Sequence, residues 1–174
     1  MSLGDGLRAA ALLVAVALVQ VVVVSSLVVA GGTADLVLVT VACLGLARGA
    51  IVGGVAGFVA GLVVDLATLD TLGLSSLVLT LAGYWAGRYA ETSARGRRLP
   101  PLVAVGSLTV LAALFVTLLR ALLGEEVVVE RALATALAPT LVLNLALALP
   151  VAALVRALVP PRSAPPTAEV ELVA

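Results

Sequence analysis

Asp65 is an ionisable side chain that continues a regular series of glycines within an apolar segment, where such a group usually has a role. Residues four apart lie on one face of a helix, and glycine on that face lets another backbone approach closely. The series therefore indicates either internal helix packing or a groove that accepts a partner helix or a ligand. It consists of Gly49, Gly53, Gly57 and Gly61, and the next apolar segment repeats the spacing at Gly83 and Gly87.

Two interpretations of Asp65 follow from its position near the end of that segment. An ionisable group inside a membrane is costly and usually has a role. Asp65 either lies at the membrane interface, close enough to water to stay charged, or pairs with backbone N–H groups around Leu72-Gly73. Two lone amides within other apolar segments, Gln20 and Asn144, predict hydrogen bonds across helices, with substrate contact as the alternative.

The usual catalytic constellations are missing from this sequence. It contains no histidine, which removes the commonest general base and the commonest metal ligand. The single cysteine, Cys43, excludes an internal disulfide framework and is typical of a small buried hydrophobe. We therefore expect no catalytic, cofactor-binding or metal-binding residues, and a protein that is not an enzyme.

Composition places the chain in the membrane. Of its 174 residues, 63% are hydrophobic and 11% are charged, and the mean hydropathy is +1.27. Soluble domains carry about 25% charged residues, and a soluble chain of this size could not hide so much apolar surface. The net charge of zero offers no electrostatic case for a nucleic-acid partner.

The apolar segments predict an all-α, polytopic integral membrane protein with six transmembrane helices, since a span needs about 20 apolar residues. Residues 34–66 are ambiguous, because Arg48-Gly49 interrupts them, and form either two full spans or a shallow hairpin. Residues 1–159 are expected to form the transmembrane domain and residues 160–174 a disordered cytoplasmic tail. The predicted spans are about 9–30, 34–47, 49–66, 73–89, 101–122 and 132–157.

Charge supports six spans with both termini in the cytoplasm. Cytoplasmic loops carry an excess of arginine and lysine, and this arrangement puts eight arginines inside and two outside. A single span over Leu36–Val64 would break the parity and send the arginines of the 91–98 loop to the opposite face. The residues on which this topology depends most are Arg48, Arg95, Arg97 and Arg98.

Residues 48–89 carry a recognisable pattern. The series Gly57-Phe58, Gly61 and Asp65-Leu66 is followed by a short loop with Leu72-Gly73 and by a helix with Gly83-Tyr84. Together with Arg48-Gly49, this pattern resembles the rod shape-determining MreD family, whose members are small and very hydrophobic. The rest of the chain matches only in hydropathy and length.

The resemblance implies a non-catalytic scaffold in the bacterial plasma (inner) membrane. Its partners would be MreC and the other parts of the cell-wall elongation complex, namely MreB, a SEDS glycosyltransferase and a class B penicillin-binding transpeptidase, together with membrane lipid. The expected packing core or partner groove consists of Gly49, Gly53, Gly57, Phe58, Gly61, Asp65, Gly73, Gly83, Tyr84 and Gly87.

The family also resembles the S-component fold of energy-coupling-factor transporters, which leaves a small-molecule carrier as the alternative function. A carrier needs a pocket with converging polar groups. The aromatic content of 3% argues against it. The polar side chains within the spans that such a pocket could use are Gln20, Thr40, Thr80, Thr109, Thr117 and Asn144.

Overall fold

The computed structural model describes residues 3–22, 28, 30–69, 71–92, 100–124 and 136–159, and most of these residues lie in helices. No strand occurs among these residues, so the predicted all-α class is confirmed for the described part of the chain. In chain order the helices are α1 (Leu3–Val22), α2 (Leu36–Arg48), α3 (Ala50–Thr68), α4 (Leu74–Thr92), α5 (Pro100–Leu122) and α6 (Leu137–Leu158).

Within the described part, three helices are long and apolar enough to cross a membrane, namely α3, α5 and α6. The apolar parts of α1 and α2 are shorter. At 1.5 Å per residue, the 13 residues of α2 span only about 20 Å, against about 30 Å for the hydrocarbon core of a bilayer. The interruption at Arg48-Gly49 is confirmed, because α2 ends at Arg48 and α3 begins at Ala50.

The first helix differs from its predicted segment. α1 begins at Leu3 rather than near residue 9, and its described part ends at Val22. It does not continue through Ala30, whose φ of 52° is left-handed. The turn before Gly31-Gly32 therefore starts earlier than the sequence suggested. The predicted disordered tail and the topology residues Arg95, Arg97 and Arg98 lie outside the described residues.

The short helix α2 forms the centre of the bundle. It contacts all five of the other helices, and its residues from Val37 to Gly45 are all buried. A helix that is apolar on every side must be covered on every side, and α1, α3, α4, α5 and α6 provide that cover. The largest helix–helix interface in the described structure joins α3 to α4.

One residue links α2 to α3. Gly49 has φ of 95°, a conformation that glycine adopts without the strain a side chain would cause. Its N–H donates to the Gly45 carbonyl at 2.7 Å, and its carbonyl accepts from the Gly53 N–H at 3.0 Å. The last turn of α2 and the first turn of α3 are thereby joined directly, as a tight hairpin requires.

Candidate functional site

The predicted glycine series of α3 packs against α4 inside the bundle. A Cβ atom added at Gly53 would overlap the carbonyl of Gly83, and one added at Gly57 would overlap the carbonyl of Leu79. One added at Gly61 would overlap the backbone of Ser76. This close interface, which we call the glycine seam, favours internal packing over a partner groove for these glycines, because α4 already occupies their face.

The seam extends to α2 at one point. Added Cβ atoms at Gly45 and at Gly53 would both overlap the carbonyl of Gly83, and the one at Gly53 would also lie 2.8 Å from the Gly45 Cα. Three backbones therefore meet where three glycines coincide. Sequence reasoning missed Gly45, although a signal was present: it precedes Gly49 by four residues and extends the same spacing.

Asp65 closes the end of the seam by capping α4. It is fully buried, and its carboxylate accepts hydrogen bonds from the N–H groups of Gly73 at 2.9 Å, Ser75 at 3.1 Å and Ser76 at 3.3 Å. The first N–H groups of a helix have no partner within it, and an acidic group also suits the positive end of the helix dipole. Of the two interpretations of Asp65, the structure shows the pairing with backbone N–H groups.

Glu91 caps the other end of the same helix pair. This residue of α4 accepts a hydrogen bond from the N–H of Ala50, the first residue of α3, at 3.0 Å to Oε1. Its Oε2 lies 3.2 Å from Arg88 in an exposed ion pair. Each helix thus supplies a carboxylate to the N-terminus of the other. Sequence reasoning missed this role of Glu91, because 41 residues separate it from Ala50.

The remaining predicted site residues that the structure describes lie at the ends of α3, on the outside of the α3–α4 pair, in the seam and at the end of α2. Gly49 and Gly73 form the links at the two ends of α3, both with φ of 95°. Phe58 and Tyr84 are exposed on the outside of the α3–α4 pair, 53% and 42% respectively, so they are available to lipid or a partner. Gly87 is buried in the seam beside Ala50. Arg48 is the half-buried last residue of α2.

The two lone amides hold the segment that leads into α2. Gln20 donates to the Ala34 carbonyl at 3.0 Å and accepts from the Leu36 N–H at 2.8 Å. Asn144 accepts from the Asp35 N–H at 2.7 Å and donates to the Thr109 hydroxyl at 3.1 Å. The predicted hydrogen bonds across helices are confirmed. Through them α1, α5 and α6 fix the start of the central helix.

Replacing Asn144 with leucine, which has a similar volume, is expected to lower stability more than the same change at Gln20. Asn144 is fully buried and Gln20 is half-buried. Water is therefore less able to replace the hydrogen bonds that are lost with Asn144 than those lost with Gln20. Interhelical hydrogen bonds in membranes contribute about 0.6 kcal/mol on average and about 1.7 at most. Thermal unfolding of Gln20→Leu, Asn144→Leu and the double variant in detergent measures both losses and their coupling. Equal losses with no coupling would contradict this arrangement.

A cavity of about 370 Å³ lies beside this anchored segment. Its walls come from the start of α2, the start of α4, the middle of α5 and the start of α6. This is the end of the bundle where Asp65 caps α4, opposite the end where Glu91 caps α3. Four of the six polar side chains that the carrier alternative requires line it: Gln20, Thr109, Thr117 and Asn144.

No group of acidic, cysteine or histidine residues within the described ranges is arranged to hold a metal ion. Asp35, which the sequence analysis did not single out, caps α2 by accepting the Leu38 N–H at 2.9 Å. An acidic residue immediately before an apolar helix is the signal that predicts such a cap. The described polar groups thus hold helix ends and join helices.

Comparison with known proteins places the chain in a family. A family model described as rod shape-determining protein MreD matches residues 7–160 of the 174-residue chain. No curated protein and no solved structure matches it. The match runs from within α1 to just beyond α6 and confirms a resemblance that rested on residues 48–89. The chain therefore belongs to the MreD family of rod shape-determining proteins.

Proposed function

We propose that this chain is a non-catalytic scaffold that binds MreC in the cell-wall elongation complex and so supports peptidoglycan synthesis. Family membership implies a role in rod shape determination, and the helices make the chain a membrane protein. The observation that carries the proposal is the extent of the family match, residues 7–160. MreB, a SEDS glycosyltransferase and a class B penicillin-binding transpeptidase complete the proposed assembly.

The proposal includes six spans, both termini in the cytoplasm, and the S-component fold. The two ends of the α3–α4 pair differ in charge in the way the positive-inside rule favours. Arg48 and Arg88 lie at the end where Glu91 caps α3. Asp65 lies at the opposite end. The short helix α2 counts as a span whose N-terminus lies below the outer surface of the bilayer.

MreC is proposed to dock its single membrane helix on the outward side of α3. Since α4 fills the glycine seam, a partner must use a face that points away from it. Residues spaced by three and four positions share one helix face, and such a set runs along α3, with each of its side chains exposed. This α3 outer face consists of Ile51, Val55, Phe58, Leu62 and Leu66.

An aromatic side chain of α4 borders the same surface. Tyr84 is exposed, and its Cβ lies 3.7 Å from where a Cβ at Gly54 would stand. Phe58 follows Gly54 by one helical turn, so the two aromatic residues lie on either side of Gly54. Helix–helix contacts in membranes favour small residues, which let the backbones approach. Gly54 makes such a contact with α4, where it is buried beside Tyr84 at the edge of the α3 outer face.

The change Val55→Trp is expected to reduce copurification of MreC at least about five-fold, because a bulky side chain on the docking face separates the two helices. Val103→Trp on α5 is the matched control, since Val55 and Val103 are 61% and 54% exposed and lie near the starts of their helices. Tagged variants would be purified from native membranes in mild detergent and the MreC recovered with each would be quantified.

Both tryptophan variants are expected to elute as the unmodified chain does in size-exclusion chromatography, since each added ring points outward. If Val55→Trp retained MreC as well as Val103→Trp does, the α3 outer face would not be the docking surface. If neither the unmodified chain nor Val103→Trp retained MreC, the scaffold proposal itself would fail.

The carrier alternative is favoured by one observation, the polar lining of the cavity near α2. Its distinguishing test is retention of a small molecule together with copurification of an energising ATPase pair. The scaffold remains the stronger proposal, because the matched family is described by rod shape rather than by transport.

A further inference from the structure

The cavity beside the start of α2 has a size suited to a small organic molecule. Ligand pockets occupy about 300–1,000 Å³, and this one holds about 370 Å³. Much of its wall is apolar, including Leu38, Val78 and Val116. The short length of α2 accounts for it: the central helix begins at Leu36, while α5 and α6 continue past that level.

The backbone donors around the start of α2, which forms part of the cavity wall, are occupied by protein acceptors. The N–H of Thr33 bonds the Thr140 hydroxyl at 3.3 Å, and the N–H groups of Asp35 and Leu36 bond the two amide side chains. The Leu38 N–H bonds the Asp35 carboxylate. A helix N-terminus is otherwise a ready anion site, but here its donors are already committed.

The wall also offers acceptors to a ligand. The hydroxyls of Thr109 and Thr117 donate their protons to the Val105 and Ala113 carbonyls of their own helix, at 2.8 Å each. A hydroxyl has two lone pairs and a carboxylate about four acceptor positions, so capacity remains. Asp35 also lies in this wall, and it forms no ion pair among the described residues.

We propose that this cavity binds a small organic ammonium compound, with the cation at Asp35 and the apolar body against α4 and α5. The ammonium group would donate to these acceptors and bring a charge opposite to that of the Asp35 carboxylate, which forms no ion pair among the described residues. This site is independent of the proposed MreC surface, which lies on the outward side of α3. Loss of MreC binding would leave it intact.

The test compares three probes of similar shape on the full chain in lipid nanodiscs without MreC. The probes are 2-phenylethylammonium, 2-phenylethanol and 3-phenylpropionate, titrated by calorimetry with empty nanodiscs as background. The ammonium probe is expected to bind about ten-fold or more tightly than the alcohol, since a charge-assisted hydrogen bond is about twice as strong as a neutral one. The carboxylate probe is expected to bind least.

Two variants separate the site from general partitioning into lipid. Asp35→Asn keeps a residue that caps helices well, so the fold is retained while the preference for ammonium over alcohol disappears. Ala113→Leu narrows the cavity and is expected to weaken both probes. Ammonium binding no stronger than in empty nanodiscs, or an unchanged ammonium preference in Asp35→Asn, would overturn the proposal.

Discussion

Alanine at Gly57 is expected to destabilise the protein, whereas alanine at Gly54, three residues earlier on the same helix, is expected to be neutral or mildly stabilising. At Gly57 the added Cβ would overlap the backbone of Leu79 and Thr80 on α4. Backbone atoms cannot swing aside as a flexible side chain can, so α3 and α4 must separate. Overpacking of this kind costs about 1–3 kcal/mol.

Gly54 is the matched control because it is also buried but has room for an added Cβ atom. Its nearest neighbours would be the Tyr84 Cβ at 3.7 Å and the Thr80 carbonyl oxygen at 3.8 Å, which are ordinary contacts. Alanine in a helix interior is favoured over glycine by about 0.5–1 kcal/mol. Thermal unfolding in detergent, followed by helical circular dichroism, compares the two variants directly.

A larger side chain extends the same expectation. Leucine at Gly57 or Gly61 should separate α3 from α4 further, distort the α3 outer face and weaken assembly with MreC. Gly57→Ala and Gly54→Ala variants of equal stability would contradict the seam as described. Unchanged recovery of MreC with both leucine variants would show that MreC binding does not depend on the glycine seam.

Removing the Asp65 carboxylate is expected to cost more stability than removing the Glu91 carboxylate. Asp65→Ala leaves three backbone N–H groups near the start of α4 without their acceptor, and Ser76 among them is buried. One unsatisfied buried donor costs about 1–3 kcal/mol and loss of a helix cap about 1 kcal/mol, so a total of about 2–4 kcal/mol is expected. Glu91→Ala removes one cap hydrogen bond and one exposed ion pair, and loss of a cap costs about 1 kcal/mol.

Asparagine at position 65 refines this comparison, because its amide keeps one acceptor oxygen. Its stability is expected to fall between that of the unmodified chain and that of Asp65→Ala. Thermal unfolding midpoints of the three acidic-residue variants in one detergent rank the effects. A larger loss for Glu91→Ala than for Asp65→Ala would show that the cap of α4 contributes less than its burial and bonds indicate.

The sequence predicted the glycine face but could not identify what covers it. A four-residue spacing defines a helix face by geometry alone, and Gly53, Gly57 and Gly61 do share one. Whether α4 or another protein fills that face depends on how the link at residues 69–73 turns the chain. That turn depends on Leu69, in the left-handed region at φ of 54°, and on Gly73. Hydrophobic patterning does not specify such conformations.

The sequence predicted that certain polar side chains form hydrogen bonds across helices, but it did not identify the groups that they bond. An amide within an apolar segment must find a hydrogen bond, which identified Gln20 and Asn144. Their partners are backbone groups of residues 34–36, and a sequence pattern does not bring those residues together with α6. The pairing of Glu91 with Ala50 was missed for the same reason. It depends on α3 and α4 lying antiparallel and in register.

The measurement that tests the scaffold most directly is site-specific photo-cross-linking from Phe58 in native membranes. A photoreactive phenylalanine analogue replaces Phe58 almost isosterically, and the same analogue at the exposed Leu111 of α5 is the control. Mass spectrometry then identifies the adducts. An adduct with the membrane helix of MreC is expected from position 58 and none from position 111. Adducts with lipid alone, or with the subunits of an energising ATPase, would contradict it.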